Sequence, residues 1–355
     1  MLFDEVKTGY TYDDLLLVTR YSEVKSRKDP SLYSELVPGL GFDIPVISAN
    51  MSKITESKMI KSMCDFGATG VLHRFLHPDQ VVKIINECKD KKRKFGISIG
   101  VDEDYYSEVL NELYHSGAIE HVSFIVIDVA HGHHKLVGDT IQNIKVKFFC
   151  DIPIVAGNVA TGEGALYLAE CGANVIKVGI GPGASCITRQ VTGFGYPQLS
   201  AVREVYEVFK TINNPPSIIA DGGIRHTGDI VKALAAGADF VMLGGMLAGT
   251  RETPGNVLTM KGKKYKLFEG MASINSQATF FNKESDEIIP EGETAFVPYK
   301  GSVYQTMFNI KGAVKAGLSY AGCNSIKEIQ NFGNNPGNWV KVTNAGYVEG
   351  TPHGI

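Results

Sequence analysis

The sequence predicts an α/β fold, a (β/α)8 or TIM barrel with a flap after its eighth strand. Eight short apolar runs rich in β-branched residues recur along the 355 residues, each of a length that suits a strand buried on both faces of a parallel sheet. Helical patterns separate the runs, so strand and helix alternate as a parallel barrel requires. Polar and glycine-rich segments follow the runs, and the C-terminal ends of its strands are where such a barrel carries its chemistry.

The runs are Ile44–Ser48, Ala68–His73, Phe95–Gly100, Val122–Asp128, Ile152–Ala156, Val175–Val178, Ser217–Ala220 and Phe240–Leu243. Helices are read over Pro78–Cys88, Gly162–Cys171, Tyr196–Lys210 and Thr227–Ala236. A doubly wound sheet is the structural alternative, but no GxGxxG follows the first run, so the usual dinucleotide fingerprint is missing. The first run leads into Ala49-Asn50-Met51 and the second into His73-Arg74. The fourth ends at Asp128 before Ala130-His131-Gly132-His133-His134, and the fifth meets Gly157-Asn158. Adjacent loop histidines with no carboxylate or thiol at helical spacing lack a zinc geometry, so a structural or cofactor-contacting role is expected. The seventh run meets Asp221-Gly222-Gly223 and the eighth Gly244-Gly245-Met246. Glycine pairs at those two places, leading towards helix N-termini, are the expected phosphate cradle of such a barrel. Either pair alone also fits ordinary turn chemistry.

The sixth run ends in the most informative segment, Gly179-Ile180-Gly181-Pro182-Gly183-Ala184-Ser185-Cys186-Ile187-Thr188. Glycine lets backbone N–H groups turn towards a ligand with no Cβ in the way, and proline stiffens the bend. A thiol and a hydroxyl two residues apart beside an anion-friendly turn suit a cysteine that attacks a bound phosphorylated substrate. A buried structural cysteine is the alternative. Past the eighth run, residues 251–300 leave the barrel rhythm with a hairpin around Lys261-Gly262-Lys263 and a polar stretch, Asn275–Glu293. So long an excursion is expected to be a functional lid or a surface loop. Residues 1–355 read as one domain.

Composition narrows the function classes. Hydrophobic content of 44% and charged content of 21% describe an ordinary globular chain with ample core. A net charge of −3 gives no reason to expect a nucleic-acid partner, and the short basic run Lys89–Lys94 reads as a solvated helix end. No apolar run is long enough to cross a bilayer, and Met1–Lys7 lacks a signal-peptide pattern. The six cysteines are scattered without CxxC or zinc spacing, which implies reduced thiols and a cytoplasmic location.

Several motifs in order resemble the inosine monophosphate dehydrogenase and guanosine monophosphate reductase family. They are Tyr12-Asp13-Asp14-Leu15-Leu16-Leu17, the Val178–Thr188 loop, Ala220-Asp221-Gly222-Gly223-Ile224-Arg225, Val241–Met246, Glu269-Gly270-Met271 and Val297-Pro298-Tyr299-Lys300-Gly301, continuing to Ala345-Gly346. The resemblance implies a (β/α)8 barrel, a homotetramer and a purine nucleotide substrate, GMP or IMP. It implies that Cys186 bonds to C2 of the purine, with hydride passing between that carbon and a nicotinamide. Asp221 would hold the ribose hydroxyls, while Ser185, Gly222, Gly223, Gly244 and Gly245 would meet the phosphate region and Gly270 and Met271 the base edge. Thr188 and Glu291 match the pair that reductases use to activate the leaving ammonia, with Arg74 at a position where reductases have a lysine. Asp128, Ala130 and Asn158 would lie near the nicotinamide. Carbonyls of Gly181, Gly183 and Cys186 would form a potassium site. Only Phe75 to Lys94 separates the second and third runs, so the paired regulatory (CBS) modules that dehydrogenases carry there are missing.

Within the family, the resemblance leans to the reductase branch: NADPH-dependent deamination of GMP to IMP through a Cys186 thioimidate. Dehydrogenases carry an Arg-Tyr dyad in the flap whose arginine activates water, and Ala278-Thr279-Phe280-Phe281 offers neither residue. Lys25-Ser26-Arg27, Ala49-Asn50-Met51 and Thr192–Ala201 also match reductases. The strand-four segment Asp128–His133 and the tail from Asn344 through His353 are closer to dehydrogenases, which oxidise IMP to XMP with NAD. A purine-nucleotide-binding pseudoenzyme is the third reading. Ser52 stands where both enzymes have aspartate, and Ala184 replaces a serine whose hydroxyl commonly touches phosphate. Arg74, unlike lysine, donates no proton at neutral pH.

Overall fold

The computed structural model describes residues 6–148, 151–273 and 290–350. Eight parallel strands close into a barrel: β1 Val46–Ser48, β2 Thr69–Leu72, β3 Gly96–Ile99, β4 Phe124–Asp128, β5 Ile154–Val159, β6 Val175–Val178, β7 Ser217–Asp221 and β8 Phe240–Leu243. They are neighbours in chain order, and β8 returns to β1 with Val241 opposite Val46. The chain is a (β/α)8 barrel, and all eight sequence-predicted runs are its strands.

The barrel interior is an apolar plug of Ile47, Val71, Phe124, Val126, Val155, Val175, Ile219, Phe240 and Met242. Leu36 and Phe42 from the hairpin Ser34–Val37/Leu40–Phe42 extend it, with Phe42 edge-on to Phe240 at 5.8 Å. Strand side chains alternate between faces. The same face that carries Val126, Val175, Ile219 and Met242 therefore carries Asp128, Lys177, Asp221 and Gly244 two residues on. One period-two pattern thus makes the plug apolar and the mouth polar. A second apolar layer joins the outer strand face to helices such as α1 Ser57–Asp65 and α2 Pro78–Cys88, through Met59, Ile60, Met63, Val81 and Ile85.

The main difference from the sequence expectation lies in β5, which runs through Gly157-Asn158 to Val159 rather than ending at Ala156. Gly157 looks like turn punctuation, yet it pairs with Lys177 in the ladder. A Cβ there would lie 2.5 Å from the Lys177 carbonyl oxygen, so only glycine lets the two strands meet. Two small sheets add to the sequence expectation: the Ser34–Phe42 hairpin, and Leu15–Leu17 paired antiparallel with Trp339–Lys341. In the 251–300 excursion, Leu258–Met260 and Lys263–Glu269 form the expected hairpin, joined by Thr294–Pro298 as a third antiparallel strand. Lys261 and Gly262 both have positive φ, 51° and 75°, as a two-residue hairpin turn with matching twist requires.

Gly157→Ala should destabilise the chain by about 2 kcal/mol or more, because the obstructing atom is backbone and cannot step aside. A chemical-denaturation midpoint equal to that of the unmodified protein would contradict this reading of β5.

Candidate active site

The C-terminal mouth of the barrel opens into a cavity of about 450 Å³. Its lining includes every candidate residue: Arg74, Asp128, Ala130, Asn158, Gly181, Gly183, Ser185, Cys186, Thr188, Asp221, Gly222, Gly223, Gly244, Gly245, Gly270, Met271 and Glu291. Segments from β2 to the excursion therefore converge on one space. The β6 loop begins at Gly179, whose φ is 150° and where a Cβ would stand 2.0 Å from the Asp221 carbonyl oxygen. Gln198, buried at the start of a helix spanning Gln198–Phe209, donates to the carbonyls of Val178 (2.8 Å) and Asp221 (3.2 Å). Loop and seventh strand are thereby fastened together.

Cys186 sits at the head of a short hydrogen-bonded chain. Its thiol donates to Thr188 Oγ1 at 3.1 Å, and the Thr188 hydroxyl donates to Glu291 Oε2 at 2.7 Å. Backbone bonds hold the register. Ile187 N–H donates to the Glu291 carbonyl at 3.0 Å, Glu293 N–H donates to the Ser185 carbonyl at 2.9 Å, and Cys186 faces Gly292 in an antiparallel bridge. Gly270 and Gly292 pack against this bridge so closely that a Cβ on Gly270 would lie 2.9 Å from the Gly292 Cα. The arrangement can pass a proton from sulfur through a hydroxyl to a carboxylate, or back.

Across the cavity lies an ionic cluster. The Lys177 ammonium contacts Asp128 Oδ1 at 2.8 Å and Asp221 Oδ2 at 2.8 Å, and it also donates to Asn158 Oδ1. Asn158 Nδ2 in turn donates to Asp221 Oδ2 at 2.9 Å and to the Gly179 carbonyl at 2.7 Å. The Lys177 side chain is 3% exposed, against 20% for Asp128 and 22% for Asp221, so a ligand meets the carboxylates first. Burial pushes the Asp128 carboxyl up, but the Lys177 ammonium, helped by Arg74 and an Asn50 hydrogen bond, outweighs it and leaves Asp128 below its usual value. Burial likewise disfavours the Lys177 charge, and the two carboxylates reverse that, holding its pKa above the ordinary lysine value.

Comparison with known proteins fits this geometry. A model of the IMP dehydrogenase / GMP reductase domain matches residues 9–353. The chain belongs to the IMP dehydrogenase/GMP reductase family. It is thus an oxidoreductase of that family. It is 39% identical to a GMP reductase of Lactobacillus delbrueckii subsp. bulgaricus, with 91% of this chain and 93% of the relative covered. It is 31% identical to an inosine-5'-monophosphate dehydrogenase of Nitrosopumilus maritimus, with 99% of each covered. That alignment runs over 484 positions, consistent with a chain that lacks the inserted regulatory modules. A crystal structure of a GMP reductase variant from Trypanosoma brucei in complex with guanosine 5'-monophosphate superposes with a TM-score of 0.89, at 26% identity and 99% coverage of both chains.

Three departures noted in the sequence take definite places in this family member. Ala184 is the side chain that faces Gly245 (3.2 Å from the Cβ position there), whereas the Ser185 hydroxyl lies beside Gly270. The Arg74 guanidinium stacks 4.7 Å over the Phe75 ring at the cavity wall. Ser52 N–H donates to Met271 Sδ at 3.2 Å, joining the first loop to the excursion. Two of the three histidines have structural partners: His134 Nδ1 caps the helix Lys135–Lys147 by accepting from Leu136 N–H, and His133 packs on Tyr167 at 5.2 Å. Among the described residues no group of three His, Cys, Asp or Glu could hold a metal, and no helix is long and apolar enough to cross a membrane. Ala278–Phe281, most of the Asn275–Glu293 stretch, and Pro352-His353 lie outside the described residues.

Sequence reasoning misses Lys177, Gln198 and Asn50 as parts of the site. A signal for Lys177 exists: a charged residue on the inward-facing period of an otherwise apolar strand. Because its folded pKa is depressed, Asp128 contributes stability that is full above the ordinary aspartate value of about 4 and is lost as pH falls through the folded value. Asp128→Asn should flatten the acid limb of folding stability, measured by denaturant unfolding across that window. An acid slope identical to that of the unmodified protein would rule this out.

Proposed function

We propose that this chain catalyses the NADPH-dependent reductive deamination of GMP to IMP and ammonia through a covalent adduct on Cys186. The observation that carries the reading is the Cys186–Thr188–Glu291 hydrogen-bonded chain. A cysteine that only packs needs no carboxylate two bonds away. In the family's nucleotide pose, Cys186 Sγ bonds to C2 of the guanine as the thiol proton leaves through Thr188. The C–N bond to the exocyclic amine then breaks, and the amine departs as ammonia with protons handed from the same relay. The product is a thioimidate with sulfur still on C2. A nicotinamide held beside Asp128, Ala130 and Asn158 would supply the hydride, and C2 takes it up as the Cys186 sulfur leaves. The overall balance is GMP, NADPH and two protons giving IMP, NADP and ammonium.

The remaining residues bind and orient. Asp221 accepts from the ribose hydroxyls, since a carboxylate has room for both. Gly222, Gly223, Gly244 and Gly245 present backbone to the phosphate, a cradle in which a Cβ at Gly222 would meet Pro182 at 3.0 Å. Gly270 and Met271 stand at the base edge. The cofactor side fits a carboxamide: the Asp128 carboxylate supplies an acceptor on the wall that Asn158 and Ala130 complete. Arg74 contributes fixed positive charge near Asp128 and no proton. For potassium, the Gly181, Gly183 and Cys186 carbonyls are the candidates. Gly183 already accepts the Cys186 N–H at 3.0 Å, so one of its two lone pairs is used. A homotetramer fits the exposure of Phe296, Tyr304 and Phe308.

The second reading is oxidation of IMP with NAD and water, favoured by the Asp128–His133 segment and by the dehydrogenase relatives. Against it stands the absence of arginine and tyrosine from Ala278–Phe281.

Loss of NADPH absorbance with GMP, with ammonia release, is expected; NADH formation from IMP and NAD instead would overturn the reductase reading. Cys186→Ala should abolish turnover while nucleotide affinity, by calorimetry, stays within about threefold; near-normal turnover would refute the covalent route. Glu291→Gln should slow deamination by about a hundredfold or more with little change in binding, in line with the usual worth of a positioned acid–base group. Equal losses in both would count against the relay.

A further inference from the structure

The feature that the reaction as described leaves without a part is the buried lysine. Resting on the assignment of Asp221 to the ribose and Asp128 to the nicotinamide side, we propose that Lys177 is a positioning residue that ties the nucleotide half of the site to the cofactor half. One ammonium is shared at 2.8 Å by a carboxylate from β4 and a carboxylate from β7, and it also donates to Asn158 of β5.

The chemistry follows from the sharing. Two carboxylates that each touch the same nitrogen lie close enough that, without the cation, their charges repel across a partly buried site. Lys177 therefore holds one Asp221 oxygen and fixes the direction in which the other, which the ribose hydroxyls need, points. The same ammonium holds Asp128. A ligand that draws on one carboxylate loosens its hold on Lys177 and tightens the other pair, so occupancy of one half is felt in the other. Lys177 itself is 3% exposed and acts through its neighbours rather than on the ligand. The glycine at position 157 belongs to the same device, because it lets β5 lie flat against the lysine backbone.

The test compares GMP affinity, by calorimetry without cofactor, in the unmodified protein, Lys177→Met, Lys177→Arg and the double variant Asp128→Asn/Lys177→Met. The double variant restores the cluster's net charge without restoring the lysine. Lys177→Met should weaken GMP binding by about tenfold or more, the loss expected when a buried charge is left unpaired. Lys177→Arg should recover most of it. The double variant should return to within about threefold of the unmodified protein. A lysine that merely fills space predicts no recovery in the double variant, and that result, or a Lys177→Met affinity within twofold of normal, overturns the proposal. Should Lys177→Met fail to fold by circular dichroism, the double variant decides: folded with GMP bound supports the coupling, unfolded or unable to bind overturns it. If the unmodified protein itself binds no GMP, the functional reading fails first and this inference falls with it. If it binds and turns over GMP while the variants match it, this inference fails alone.

Discussion

An ammonium group out of reach of water is tolerated only where opposite charge surrounds it. At the mouth of this barrel that requirement falls on Lys177, and much of the site's geometry follows. It draws Asp128 and Asp221 inward from strands on either side, and Asn158 completes the shell. The carbonyl of the same lysine leaves no room for a side chain at Gly157. The two carboxylates keep their outer faces open to the cavity, where a sugar and a cofactor would meet them. The polar mouth and the apolar plug beneath it are one alternation read along the same strands, with charge replacing valine and isoleucine at the last inward position.

The opposite wall is organised by backbone rather than by charge. Residues 291–293 run against Ser185–Ile187, with hydrogen bonds at 2.9 and 3.0 Å on either side of the Cys186–Gly292 bridge. Thr188 and Glu291 are 103 residues apart in the chain and 2.7 Å apart in space because of that pairing. A hydroxyl two residues beyond the thiol on a short helical turn, Thr188–Thr192, then lies between sulfur and carboxylate. Glycine at 270 and 292 allows the close approach that makes the register possible.

What is legible in the sequence is what is local. Buried parallel strands are continuous apolar runs, so all eight can be read, and β6 and β8 have the predicted ends. The Lys261-Gly262 turn announces itself by residue type. Strand β5 reads short because Gly157-Asn158 has the composition of a turn, and only the neighbouring strand explains why glycine is needed within a ladder. Lys177 escapes notice because a single lysine among valines carries no partner in the nearby sequence; its partners are 49 and 44 residues away, at Asp128 and Asp221. Glu291 emerges only through resemblance to a family, since nothing in its local sequence points to a thiol. The Leu15–Leu17 and Trp339–Lys341 pairing is invisible for the same reason: three-residue strands at opposite ends of a chain give no periodic signal.

The bridge between Cys186 and Gly292 has a further mechanical meaning. Residues 291–293, which supply Glu291, are fastened to the cysteine loop by the same backbone rungs. A displacement of those residues would therefore move the carboxylate and the sulfur's own backbone together, and weakening a rung would disturb the relay without altering any of its three side chains.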